Sequence, residues 1–296
     1  MSTPLSGILN VAKPAGITSR RVVDRVERLV RPAKAGHAGT LDPLATGVLV
    51  VCVGQATRLI EYVQRAEKTY EATFLLGRTS DTEDVEGAVV ELVDPRRPTP
   101  ADIEQVLPTF LGTILQRPPS YSALKVQGRR AYDLARAGKE VELAPRPVEI
   151  HGIELLGYDY PELRLRIRCG SGTYVRSLGR DIAAALGTGA VMSALVRTAI
   201  GEFRLTDACD VEQLTLEELP ARLQPPSRAV VGLPSIMISE AERRSLHFGQ
   251  AIERVAQGAT DELVALTEQG ELASILRPAG ERSWKPKHNF AVPSRQ

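Results

Sequence analysis

Strand-like and helix-like segments alternate along this chain with no regular βαβ rhythm, which points to an α+β fold: a mixed, mainly antiparallel sheet flanked by helices. Gly7 to Val11 is a short apolar run closed by Lys13-Pro14-Ala15-Gly16, a turn that proline and glycine impose. Thr18 or Ser19 then caps a helix whose Val22, Val23, Val26, Leu29 and Val30 keep helical spacing until Pro32. Ala35 to Leu44 is expected to be a glycine-dense loop. Val48 to Val53 holds four β-branched valines and reads as a buried strand, being too short for a helix. Lys68 to Leu76 alternates like a second strand, and Asp81 to Glu86 is expected to be a solvated loop. Thr99-Pro100-Ala101-Asp102 sets a capping box before a helix running to Phe110. Ala131 to Ala137 reads as a short helix, Val148 to Leu156 and Leu163 to Arg168 as strands, and Gly172 to Leu186 as a helix ending at Gly187. Pro225-Pro226 and Pro234 flank a boundary, after which Glu262 to Leu266 and Glu271 to Leu276 suggest a small β domain of about 60 residues.

Composition narrows the class. With 43% hydrophobic and 25% charged residues in 296, the chain is neither disordered nor collagen-like. Its apolar runs fall short of the ~18 residues of a membrane helix. Met1 to Gly7 lacks a basic-then-apolar signal, so a cytoplasmic protein without membrane association is expected. Cys52, Cys169 and Cys209 stand too far apart for a CxxC clamp, which speaks against structural zinc and a disulfide framework. The net charge of +1 hides blocks: residues 1–78 carry 11 basic and 6 acidic side chains, residues 79–110 carry 2 and 8, and residues 114–147 carry 7 and 3. Such separation suits either a local basic track for a polyanion or ordinary solvated faces.

The most informative stretch is Gly36-His37-Ala38-Gly39-Thr40-Leu41-Asp42-Pro43-Leu44-Ala45-Thr46-Gly47, where three glycines and a proline hold one aspartate and one histidine. Loops built this tightly often present a reactive side chain. Spacing alone, however, favours an Asx-type turn in which Asp42 bonds nearby amides before Pro43.

This segment, through Gly54-Gln55-Ala56-Thr57, resembles the catalytic loop of TruB-family tRNA pseudouridine synthases, GHxGTLDPxAxGxLxxxxGxATK, with Arg58 in place of the final lysine. Four further blocks agree: Gly7 to Ser19, Lys68 to Ala72, Pro118 to Lys125 and Gly172 to Leu178. The resemblance implies a pseudouridine synthase fold over residues 1–228 and a PUA-like RNA-binding domain over 229–296. Phe248 to Ile252 and Trp284 to Phe290 look like such a module. It implies isomerisation of uridine to pseudouridine at position 55 in the T arm of tRNA, with no cofactor, metal or protein partner.

Asp42 is then the nucleophile and Arg176 its paired arginine; a guanidinium beside a carboxylate favours the charged form. Tyr70 stacks on the target base, His37 contacts the flipped nucleotide, and Tyr174 and Leu195 line the uracil pocket. Basic residues would recover the cost of flipping through phosphate contacts, with Lys13, Arg20, Arg21, Lys34, Arg58, Lys125, Arg129 and Arg130 as candidates. Two other classes compete: a non-catalytic RNA-binding or RNA-folding protein on the same scaffold, and a hydrolase using Asp42 and His37 on a small substrate.

Overall fold

Strict alternation of buried and half-buried residues over Lys68–Leu76 places Lys68, Tyr70, Ala72, Phe74 and Leu76 on one face, and this strand lies near the centre of a ten-stranded sheet. The computed structural model describes residues 5–119, 121, 125–126, 129–130, 143–254 and 260–290. The main path of the sheet runs Cys209–Asp210, Gly7–Lys13, Thr46–Val53, Ala190–Ile200, Lys68–Leu76, Glu162–Cys169, Arg146–Asp159 and Gly112–Gln116. Cys209–Asp210 pairs parallel with Gly7–Lys13, and Thr46–Val53 with Ala190–Ile200; the other neighbours on this path are antiparallel. The sheet is therefore mixed and mainly antiparallel, as expected.

The valine run is unbroken because both faces of Thr46–Val53 are covered. Leu49, Val51 and Val53 pack with the helix Ser19–Val30, capped by the Thr18 side chain, through Val22, Val23 and Val26. Val48, Val50 and Cys52 belong to a second core with Val264 and Ile275 of the C-terminal sheet and Phe290 just beyond its last strand. Two sequence expectations change here, and a third is not tested. Ala35–His37 is a strand paired with Thr46–Val53, because its backbone finds an open edge against Val51 and Val53. The helix foreseen from Gly172 begins at Val175, since Gly172 has φ +86 and Tyr174 is the extended N-cap. The segment Ala131 to Ala137 lies outside the described residues.

The helix Val175–Ala185 buries Leu178, Ile182 and Ala183 beside Phe74 and Leu165. Gly179 allows this approach, since a Cβ there would fall 2.0 Å from Cε1 of Phe74. Gly179→Ala is therefore expected to destabilise the protein by about 2 kcal/mol despite alanine's better helix propensity. An unchanged melting temperature would refute that packing argument.

The C-terminal sheet runs Ser235–Met237, Leu263–Leu266, Leu272–Pro278, Ser283–Asn289 and Ile252–Glu253. A helix, Glu240–His247, joins its first and second strands in chain order, with a Ser239–Glu242 capping box. A polar latch also holds the sheet. Lys287 Nζ donates to Glu61 (2.7 Å), Glu262 (2.8 Å) and the Tyr62 hydroxyl (3.2 Å), and Arg58 donates to the Asn289 carbonyl (2.7 Å). Glu262 and Glu61 raise the Lys287 pKa. Lys287 in turn holds Glu61 below the usual carboxylate range, and it holds Glu262 down against the upward push of burial.

Lowered carboxylates stabilise the fold above their ordinary pKa, and that contribution drains away as pH falls through the lowered values. The melting-temperature gap between wild type and Lys287→Met is therefore expected to be full at neutral pH and to shrink below about pH 4. A gap independent of pH would rule out this origin.

Candidate active site

The loop Gly39 to Ala45 has no ladder of its own, yet its carbonyls are almost all satisfied. Arg197 donates to the carbonyls of Gly39 (3.1 Å), Thr40 (3.4 Å) and, beyond the loop, Val48 (2.8 Å). The Ser19 hydroxyl donates to the Leu41 carbonyl (3.1 Å) and accepts from the Leu41 amide (2.8 Å). Ala45 N–H closes a turn onto the Asp42 carbonyl, and Lys13 Nζ donates to the carbonyls of Pro14, Pro43 and Ala45. Gly47, at φ +102, is required because a Cβ would fall 2.2 Å from the Arg197 carbonyl oxygen. Such a loop is preorganised: Asp42 stands on a backbone fixed on both sides.

Asp42 opens onto a cleft of about 550 Å³, also lined by Tyr70, Tyr174, Arg176 and Leu195. The fold thus brings five of the seven sequence-predicted residues to one cavity. Arg176 Nε lies 3.1 Å from Asp42 Oδ2, and Arg176 is 7% exposed where Asp42 is 36% exposed. The guanidinium is held from behind: Nη1 lies 3.3 Å from Asp84 Oδ2 and donates to the Thr82 carbonyl (2.7 Å), while Nη2 donates to the Tyr121 carbonyl (3.2 Å). Tyr174 is fixed by its backbone, whose N–H donates to Gln116 Oε1 (2.8 Å) and whose carbonyl accepts from Gln116 Nε2 (3.1 Å). The Arg146 guanidinium lies 5.1 Å from the centre of the Tyr174 ring. Burial pushes the Tyr70 hydroxyl pKa up.

Two predicted residues fall elsewhere. Lys13 is not placed for a phosphate contact: it is 1% exposed, its ammonium is enclosed by three carbonyls, and it is absent from the cleft wall. Burial lowers its pKa to about 8 against the pull of Asp42. His37 sits on the strand Ala35–His37 outside the cleft wall, with a buried Nδ1 that has no hydrogen-bond partner; burial and then Arg197 lower its pKa.

The acidic segment also departs from expectation. Asp84 is 3% exposed, and its Oδ1 accepts from the Thr82 hydroxyl (2.6 Å) and the Glu86 amide (3.0 Å). Glu83 takes φ +63, accepts from Ser177 (2.6 Å) and pairs with Arg180. Asp81 to Glu86 is therefore solvated only in part: Asp81, Val85 and Glu86 are exposed, whereas arginines of the Val175–Ala185 helix draw the carboxylates of Glu83 and Asp84 inward. Among the other basic candidates, Arg20 pairs with Asp24 and Glu27 on its own helix, and the side chains of Lys125, Arg129 and Arg130 lie outside the described set.

Sequence reasoning missed Gln64, Lys68, Arg146 and Arg197, all in the cleft wall. Lys68 is 7% exposed and donates to the carbonyls of Gln64 (2.5 Å) and Ala66 (2.7 Å); burial lowers its pKa to about 8. A lysine on the inward face of an alternating strand was the available signal.

Residues 27–175 match the model of the TruB family pseudouridylate synthase N-terminal domain, and residues 176–229 that of the tRNA pseudouridylate synthase B C-terminal domain. The chain is 42% identical over 293 residues to tRNA pseudouridine synthase B of Dehalococcoides mccartyi, covering 98% of each. It is 44% identical over 248 residues to the Synechocystis protein of that name, covering 81% of this chain and 83% of the other. Among solved structures, a chain of a Cbf5-Nop10-Gar1 complex superposes with a TM-score of 0.71 at 27% identity, covering 92% of this chain and 78% of that one. A chain of an H/ACA RNP bound to a substrate RNA shares the fold, with a TM-score of 0.74 at 24% identity, covering 97% and 85%.

Proposed function

The chain belongs to the TruB family of pseudouridylate synthases and is a tRNA pseudouridine synthase, and from that premise we propose that it isomerises the uridine at position 55 in the T arm, with Asp42 as the nucleophile. The observation that carries this reading is the Asp42–Arg176 contact of 3.1 Å at the edge of a cleft that also holds Tyr70. Isomerisation breaks the C1′–N1 bond, turns the uracil while it stays enclosed, and joins C5 to C1′; the C5 proton leaves to water and N1 gains one. No redox partner enters that balance. Asp42 can assist by attacking the sugar or the base, or by removing a sugar proton. Tyr70 supplies a stacking face for the extruded base, worth about 1–3 kcal/mol. Tyr174 and Leu195 close the uracil pocket around it.

The same reading divides the chain into residues 1–228, which carry the chemistry, and a PUA-like module over 229–296, which contributes RNA affinity. The module's latch to Glu61 and Tyr62 supports a fixed rather than a swinging arrangement. A non-catalytic RNA-folding role would leave the Asp42–Arg176–Asp84 chain without a purpose.

The test is tRNA tritiated at uracil C5. Label is expected to pass into water, and a transcript with cytidine at position 55 is expected to release none. Continued release from that transcript would refute the T-arm assignment, and no release from either would refute the proposed chemistry.

A further inference from the structure

We propose that Lys68 and Arg197 form a buried cationic wall beside Tyr70 that stabilises the negative charge carried by the uracil ring while it is detached from the ribose; this rests on the reading of the Asp42 cleft given above. Both line the cleft, yet they are only 7% and 1% exposed. Among the described residues neither forms an ion pair with a carboxylate, and Asp42 is engaged by Arg176. Their N–H groups go to carbonyls, of Gln64 and Ala66 for Lys68 and of Gly39, Thr40 and Val48 for Arg197. Carbonyls solvate a cation without neutralising it. A fold that buries two uncompensated cations in one wall favours an anion there.

Their placement says which anion. Lys68 and Tyr70 lie two residues apart on the same face of one strand, and Arg197 is the register partner of Tyr70, its guanidinium 6.0 Å from the ring centre. The charges thus flank the surface proposed to receive the base. They are buried too deeply to serve as backbone phosphate contacts, which exposed side chains make. A detached pyrimidine fits instead. When C1′–N1 breaks, the bonding pair leaves with N1 and spreads over the uracil ring. When C5 gives an electron pair to C1′, the ring then loses the C5 proton to water and N1 is protonated. The charge exists only between these events, beside cations whose own burial strengthens their field.

The test compares two bases. Lys68→Gln and Arg197→Gln are each expected to slow single-turnover conversion of uridine tRNA by about 30-fold or more. For tRNA carrying 5-fluorouridine at the target position, followed by chromatography of the digested nucleosides, the loss in Lys68→Gln is expected to be only about 3-fold, since fluorine itself stabilises the detached anion. Arg197→Gln, which also frees the carbonyls of Gly39 and Thr40, is expected to lose more on both bases but still about tenfold less on 5-fluorouridine than on uridine. Lys68→Arg, which keeps the charge, is expected to lose the same factor on both bases.

Equal losses on the two bases in the glutamine variants, or rates near wild type, would overturn the proposal in favour of packing roles. If neither glutamine variant folds, Lys68→Met and Arg197→Met, uncharged side chains that keep much of the apolar stem, take their place with the same outcomes: a uridine-selective loss supports the proposal, and an equal loss on both bases overturns it. Tritium release by wild type, measured alongside, separates the two levels. Its absence strikes the reading of the Asp42 cleft, whereas release combined with equal losses strikes this inference alone.

Discussion

Asp42→Asn is expected to reduce single-turnover isomerisation at saturating tRNA by about 10³-fold or more, with tRNA affinity and melting temperature close to wild type. The amide keeps the shape of the carboxylate but cannot supply an ionised oxygen to the sugar or the base. The fold should hardly register the change, because the loop is fastened through its backbone: Arg197, Ser19 and Lys13 grip the carbonyls of Gly39, Thr40, Leu41, Pro43 and Ala45, and none of these bonds involves the Asp42 side chain. Asp42 is also the most open member of its ion-pair chain, at 36% exposure. Activity within a few-fold of wild type would end the nucleophile assignment. A collapse in melting temperature would instead show that the side chain, not the backbone clamps, organises the loop.

Local signals were legible where local chemistry decides the outcome. Lys68–Leu76 alternates because one face meets the core, the Thr99–Asp102 capping box forms as written, and the Thr18 cap opens its helix. The two-sided burial of Val48 to Val53 follows from an unbroken apolar run. What stayed hidden depends on partners distant in sequence. Asp81 to Glu86 has the composition of a solvated loop, and only the arrival of Arg176 and Arg180, about a hundred residues later, turns Asp84 and Glu83 inward. Lys13 carries the charge of a phosphate contact but is enclosed by loop carbonyls, and Arg58, which stays exposed, also bonds the Asn289 carbonyl of the C-terminal sheet. A cation's partner cannot be read from its type. The five motif blocks identified the family, whereas the support behind the cleft, from Asp84 to Arg197, belongs to the tertiary fold.

Arg176→Lys is expected to cost about 10²-fold in activity, whereas Arg222→Lys on the exposed surface is expected to change nothing measurable. The difference lies in geometry rather than charge. The Arg176 guanidinium reaches Asp42 through Nε, Asp84 and Thr82 through Nη1, and Tyr121 through Nη2. A single ammonium cannot span two carboxylates on opposite sides of a planar fork. Lysine at this position keeps the charge but lets go of one anchor, leaving either Asp42 unaligned or Asp84 buried and unpaired.

The second anchor has its own signature. Arg176 and Asp84 are 7% and 4% exposed, so Asp84→Asn breaks a buried pair and is expected to cost about 3 kcal/mol of stability as well as activity. Because both substitutions act on the same chain of contacts, the double variant Arg176→Lys with Asp84→Asn is expected to lose less than the product of the two single losses. Multiplicative losses would mean that Asp84 does not act through Arg176. Equal losses at positions 176 and 222 would reduce Arg176 to an ordinary basic residue, and Asp42 would have to be aligned by its loop alone.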